Sequence, residues 1–276
     1  MASAPPAIID THVHLLQPSR FHYHWLTKDS PLFQDWQPGA VFAECRSCGV
    51  RGGILIEATN TQSEIDCLLE VAAEQSAVWG VIGWINLDAP DALAHIAHYS
   101  EHPCFCGVRL NWLDARLLPH MLDDALRALA DANCVVEVLT QVEHLSAVTA
   151  FAKDHPRNCF VVDHFGGRLP EGEQVERWQA EIKPLAALPN VALKLSGYAT
   201  ASAALPPVDH LARVLAYALN SFGAERLLYG SNYPMFTPTK SMVEVLSLLR
   251  EACAQTDDEL QQIFYETPRK IYQLGV

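Results

Sequence analysis

The sequence predicts an α/β fold, a (β/α)8 TIM barrel forming one domain over residues 1–276. Three observations carry that expectation. Eight short apolar runs alternate with helical stretches along the chain. The runs are apolar almost throughout, as parallel strands covered on both faces must be. No G-x-G-x-x-G follows the first run, so the doubly wound open sheet lacks its usual sign. A length of 276 residues without a break in composition suits a single barrel of about 250 residues.

The first strand is Ile8-Ile9-Asp10-Thr11-His12-Val13-His14. Residues two apart on a strand share a face, so His12 and His14 look into one space, with Asp10 a step deeper. Two imidazoles converging there can hold a divalent metal or grip an anionic oxygen. Burying both without a task would be costly. Residues 15–38 follow as a long loop carrying Phe21, His22, Tyr23, His24, Trp25, Phe33 and Trp36. Long loops after barrel strands commonly carry function, and His22 and His24 are expected on its surface as lid residues.

A short helix over 40–48 stops at Gly49. The second strand, 53–57, ends in Glu57, and Ser63 is placed to cap the helix after it. The third strand is 79–84, with a helix opened by Pro90 running to His98. The fourth, 106–110, carries Arg109 and precedes a helix over 121–132. The fifth, 134–139, leads to a helix over 142–154, and the sixth, 159–164, breaks at Gly166-Gly167. A helix over 175–187, a seventh strand at 191–196, a helix over 208–222 and an eighth strand at 227–232 follow. Helices over 241–254 and 257–272 finish the chain.

Active sites of such barrels lie at the C-terminal ends of the strands. Those ends offer His12 and His14, Glu57, Arg109 and Asn111, His164, Lys194 and Ser196, then Asn232 and Tyr233. Arg109 beside Asn111 suits a bidentate grip on a carboxylate, or a structural ion pair. Lys194 suits pairing with Glu57 or Asp10 as well as substrate binding. Ser196 has no nucleophile elbow around it and reads as a small barrel filler. Asp163, taken to alternate with His164, reads as an acceptor on the barrel's outer side. Tyr233 either gates the pocket or packs.

The D-x-H-x-H of strand one, Asp163-His164-Phe165-Gly166, Lys194-Leu195-Ser196-Gly197 and Gly230-Ser231-Asn232-Tyr233-Pro234 together resemble the amidohydrolase superfamily. The similarity is to its amidohydrolase-2 branch of sugar-lactone and pyrone-dicarboxylate lactonases, and Pro268-Arg269-Lys270-Ile271-Tyr272 is similar to that branch's terminal helix. The resemblance implies a distorted (β/α)8 TIM barrel and hydrolysis of a lactone, or a related C–O or C–N bond, at His12, His14, His164 and Asn232. Arg109, Asn111, Glu57, Lys194 and Tyr233 would bind substrate. It also implies a divalent metal, zinc foremost, on His12, His14 and His164 in some members, and none in others. A binding barrel that has lost catalysis and a metal-dependent decarboxylase are the rival readings. The family's usual strand-eight aspartate is here Asn232, and an amide cannot act as a general base near neutral pH. The missing base is then a histidine or Glu57.

A net charge of −13 argues against nucleic acid or an anionic membrane as partner and leaves a small-molecule substrate. A homo-oligomer is compatible with it. The eight cysteines are scattered, and the C-x-x-C at Cys45 and Cys48 has no second pair to close a zinc site. Reduced thiols, no basic-apolar leader at residues 1–7 and no membrane-length apolar run point to the cytoplasm.

Overall fold

Eight strands pair in parallel in strict chain order. They are β1 (Ile8–Val13), β2 (Val50–Ile56), β3 (Val78–Gly83), β4 (Phe105–Asn111), β5 (Val135–Leu139), β6 (Phe160–Val162), β7 (Val191–Leu195) and β8 (Leu227–Tyr229). The structure is a computed structural model and describes residues 7–112, 122–253 and 256–275. β1 meets the end of β8 through a parallel bridge between Val13 and Tyr233, which nearly closes the barrel. The fold is the expected TIM barrel.

Helices follow the strands as α1 (Pro38–Ser47), α2 (Gln62–Glu74), α3 (Ala92–Ser100), α4 (Asp123–Asp131), α5 (Leu145–Asp154), α6 (Gln174–Ala186), α7 (Val208–Phe222), α8 (Met242–Ala252), α9 (Asp257–Gln261) and α10 (Thr267–Ile271). Pro38 sits in the first turn of α1, where its missing N–H costs nothing. Ser241 and Glu244 form a capping box that starts α8. The start of the helix expected from residue 121 lies outside the described residues. Thr61, not Ser63, is the N-cap of α2, and no side chain bonds the helix end there. The last helix is not continuous: a π-helical turn, Gln262–Glu266, separates α9 from α10, and Pro268 then restarts the helix.

The core has two layers. The outer layer packs helices on strands, with Trp178 and Phe222 fully buried. The inner layer fills the barrel with Ile54, Ile82, Val135, Val161, Ala192 and Leu228, and Tyr272 and Leu274 from the chain end pack against it. Alternation puts Glu137 and Lys194 on this inner face, two residues beyond Val135 and Ala192 respectively.

The loop after β1 makes its own small cluster of Leu16, Tyr23, Leu26 and Leu32 against Ala58. Trp25 Nε1 donates to the Ala58 carbonyl at 2.9 Å, and Thr59 Oγ1 to the His22 carbonyl at 3.0 Å. His22 and His24 are exposed. Beneath them Glu64 Oε2 accepts from the backbone N–H of Ala58 (2.9 Å) and Thr59 (3.0 Å), while the Tyr23 hydroxyl donates to Oε1 at 3.4 Å. Burial pushes the Glu64 carboxyl up to about 7.

Candidate active site

β1 places the two histidines, with a change of register. Pairing with β2 slips between Asp10 and Val13, so simple alternation fails there. Asp10 therefore does not sit beneath the imidazoles as expected. Its Oδ1 accepts from the backbone N–H of Ser231 (2.8 Å) and His12 (3.1 Å), which ties β1 to the end of β8. Burial pushes its carboxyl up to about 6. The Nε2 atoms of His12 and His14 stand 3.1 Å apart, and His14 Nδ1 lies 2.9 Å from the Ile56 carbonyl.

β6 ends at Val162, and Asp163 continues its alternation inward. The expectation that Asp163 faces the outer side is wrong. It is fully buried, with Lys194 Nζ at 3.2 Å and Arg109 Nη1 at 3.7 Å, and His12 Nδ1 at 3.6 Å. His164 reaches the same place because the chain turns. His164 and Phe165 adopt left-handed φ values of 54° and 58°, unusual for residues with a Cβ. The Trp178 indole, which donates to the Phe165 carbonyl at 2.6 Å, pins that turn from α6. The turn also needs Gly197 across from it, since a Cβ there would stand 2.9 Å from the His164 ring. The His164 ring centroid is 4.6 Å from that of His12, and its Nδ1 bonds Ser196 Oγ at 2.7 Å. Ser196 is thus a partner of the histidine as well as a filler.

Arg109 comes from β4 and is spent locally. Its Nε donates to Glu57 Oε1 at 2.6 Å, and Nη2 to the Glu57 carbonyl at 2.7 Å. Of the two roles expected for Arg109, the buried ion pair is present, and it engages Glu57 Oε1 while Oε2 has no hydrogen-bond partner. Asn111 ends β4, half-buried. Lys194 does not pair with Glu57 or Asp10. Its ammonium is fully buried, 2.7 Å from Glu137 Oε2 and 3.3 Å from His12 Nδ1, beneath the histidines and away from solvent. Tyr233 turns outward: its hydroxyl donates to Glu44 at 2.9 Å and its ring packs on Trp36 and Phe236. It packs and does not line the cavity above the histidines. Sequence reasoning missed Glu137 and the structural part of Tyr272. A lone acid within the apolar run Val135–Leu139 was the signal for the former.

Asn232 follows β8 with φ 62°, and its N–H donates to the His12 carbonyl at 2.9 Å. Asn232 and His164 line a cavity of about 840 Å³ with Arg168, Tyr198, Thr200 and Ser202. His12, His14 and Asp163 lie behind that wall.

Burial lowers all three histidines. His14 falls to about 3, helped by the Arg109 charge, and His164 to about 4 despite Asp163; His12 falls well below its usual value. All three are neutral near pH 7, the form that binds metals and accepts protons. Burial alone would raise Asp163, but Lys194 and His12 outweigh it and hold the carboxyl well below the usual range.

The donors fit a divalent ion. Ligand atoms of His12, Asp163 and His164 lie within 4.8 Å of one another. Two imidazole nitrogens on one tetrahedral zinc would be about 3.3 Å apart, given Zn–N bonds of about 2.0–2.1 Å. The His12 and His14 Nε2 atoms have nearly that spacing at 3.1 Å, although His14 is not one of the trio. Both buried oxygens of Asp163 lack a hydrogen-bond partner, which leaves them able to serve as ligands.

A family model described as Amidohydrolase matches residues 9–274. The chain belongs to the amidohydrolase family. It is 30% identical over 237 residues to an L-fucono-1,5-lactonase of Burkholderia ambifaria, covering 82% of this chain and 80% of the relative. An L-fucono-1,5-lactonase of Burkholderia multivorans is also 30% identical, over 257 residues, covering 87% and 86%. An amidohydrolase from Burkholderia multivorans, solved with bound zinc, superposes with a TM-score of 0.85 at 27% identity, covering 97% of this chain and 99% of that one. A divalent metal is therefore at home in this family, on a barrel of this shape.

Proposed function

We propose that this chain hydrolyses the ring ester of a small lactone, a polyhydroxylated sugar lactone being the best match. The observation that carries the reading is the cavity: one imidazole and one amide on its wall, with two more imidazoles and a carboxylate behind them. The lactonase relatives support the ester as the bond that is cut. Hydroxyls of Thr200 and Ser202 in the same cavity suit a substrate rich in hydroxyls.

His12, Asp163 and His164 would hold a divalent metal, zinc by preference, which would supply a Lewis acid for the ester carbonyl and lower the pKa of a nearby water toward about 7. His164 is the imidazole that faces the substrate. Ser196 holds its Nδ1, which leaves Nε2 for the ion or, with no metal bound, for the proton of the attacking water. The Asn232 side chain holds that water or a substrate hydroxyl by hydrogen bond, since it cannot take a proton. Arg109, paired with Glu57 and 3.7 Å from Asp163, helps hold that carboxylate in place. The cytoplasm as location and self-association into oligomers remain part of the proposal; no helix among the described residues is long and apolar enough to cross a membrane.

The test is acid release from a panel of sugar 1,4- and 1,5-lactones, read by a pH indicator, before and after chelation. Turnover of a lactone that is lost in His164→Asn supports the reading. Carbon dioxide release from an aromatic acid would make the chain a decarboxylase. Ligand-dependent thermal shifts without turnover of any lactone would make it a binding barrel.

A further inference from the structure

A column of polar side chains rises through the apolar inner layer of the barrel. At its lower end the Tyr272 hydroxyl donates to Glu137 Oε1 at 2.5 Å. Glu137 Oε2 takes the Lys194 ammonium at 2.7 Å. Lys194 Nζ stands in turn 3.2 Å from Asp163 Oδ1 and 3.3 Å from His12 Nδ1. Glu137 Oε2 and His12 Nδ1 accept two of the ammonium's three N–H bonds, and Asp163 Oδ1 is held by charge. Glu137, Asp163 and Lys194 are fully buried, and Tyr272 nearly so. The Tyr272 ring lies under the ammonium, with Nζ 5.9 Å from its centroid.

A buried ion pair is a poor way to stabilise a barrel. Apolar side chains of similar volume would serve as well or better. The column is explained by what it does at its upper end, where a fixed positive charge meets Asp163 and His12. We propose that Tyr272 and Glu137 are positioning residues of the active site, holding the Lys194 ammonium against Asp163 and His12 from the floor of the barrel. Lys194 is then an electrostatic support of the site, and its neighbours on the floor are part of the catalytic design although they touch no substrate. Without the Tyr272 bond, Glu137 is free to rotate and the ammonium follows it. Asp163 and the His12 ring lose a fixed neighbour.

The inference rests on the lactonase reading for its kinetic arm, and a second arm is independent of it. Tyr272→Phe removes one hydroxyl and keeps the ring. It is expected to lower kcat about tenfold, as loss of an outer partner of site residues commonly does, while KM stays within about twofold. Glu137→Gln is expected to give the same split. Leu274→Ala is the packing control: it empties space on the same floor and leaves the column intact. It should lower the melting temperature with kcat unchanged. In the second arm, 15N-histidine spectra without substrate should show the His12 ring resonances moving in Tyr272→Phe and staying in place in Leu274→Ala. If no lactone is turned over by the wild type, the functional reading fails and the spectra alone decide the positioning. Unmoved His12 resonances in Tyr272→Phe overturn the proposal. So does a Leu274→Ala variant whose kcat falls as far as that of Tyr272→Phe.

Discussion

Glu64 makes the stability of this protein depend on pH in a direction that is easily tested. Its carboxyl is buried between the loop after β1 and the start of α2, and burial raises its pKa from 4.5 to about 7. A folded state that holds a proton more tightly than the unfolded chain is favoured at low pH. The stability it contributes is fully present below pH 4.5 and is lost as pH rises through 7. Linkage over that shift gives a loss of about 2.5 kcal/mol between pH 5 and pH 8. Asp10 and Glu137, raised to about 6 and about 7 by burial, pull the same way, so the wild-type slope alone is not diagnostic. Glu64→Gln isolates the effect. The amide oxygen can still accept from Ala58 and Thr59, and its NH2 can donate to the Tyr23 oxygen, but nothing titrates. Urea unfolding of both proteins at pH 5 and pH 8 should show the variant gaining about 2.5 kcal/mol on the wild type between the two conditions. Parallel pH slopes for the two proteins would refute the assignment of a raised pKa to Glu64.

Asn232→Asp should be tolerated by the fold, because aspartate also accepts the left-handed φ of 62°. A charged oxygen beside the histidines should raise zinc affinity at least about tenfold, measured by competition with a chromophoric chelator; equal affinities would show that the position does not meet the ion. Arg109→Lys should cost on the order of 2 kcal/mol in urea unfolding, since Lys cannot replace both the Nε and Nη2 bonds to Glu57. A raised KM at unchanged stability would instead restore Arg109 to the substrate. Gly107→Ala should fail to give folded protein or lower the melting temperature sharply, because a Cβ there collides with the Val135 backbone at a φ of 154°; circular dichroism during heating decides it.

The strand order and the histidine positions were legible because both follow from local pattern. Apolar runs punctuated by glycine and proline give the eight strands, and H-x-H gives two side chains at one strand end. What the pattern hid was geometry that breaks or extends alternation. Counting back from an inward His164 by strand alternation puts Asp163 on the outer side. Alternation in fact holds through Asp163, and the left-handed turn at His164 brings that ring in as well. Asp10 departs from its expected place for the opposite reason, a register slip within β1. The partners of Lys194 were not legible at all. Glu137 and Tyr272 lie far from it in sequence, and a pairing across the barrel leaves no mark on spacing.

The site straddles the seam where the first strand meets the last. The His12 carbonyl receives the Asn232 N–H, and the His14 N–H reaches the Tyr233 carbonyl at 2.7 Å, across more than two hundred residues of chain. Contacts so distant along the chain form late in folding, after the intervening units have assembled. A partly assembled barrel, however native its helices, would hold His12 and Asn232 apart. Turnover therefore reports closure of the whole ring. For the same reason, mild stress that parts β1 from β8 should abolish activity before it melts the secondary structure, so the enzyme would fall silent while its circular dichroism still looks intact.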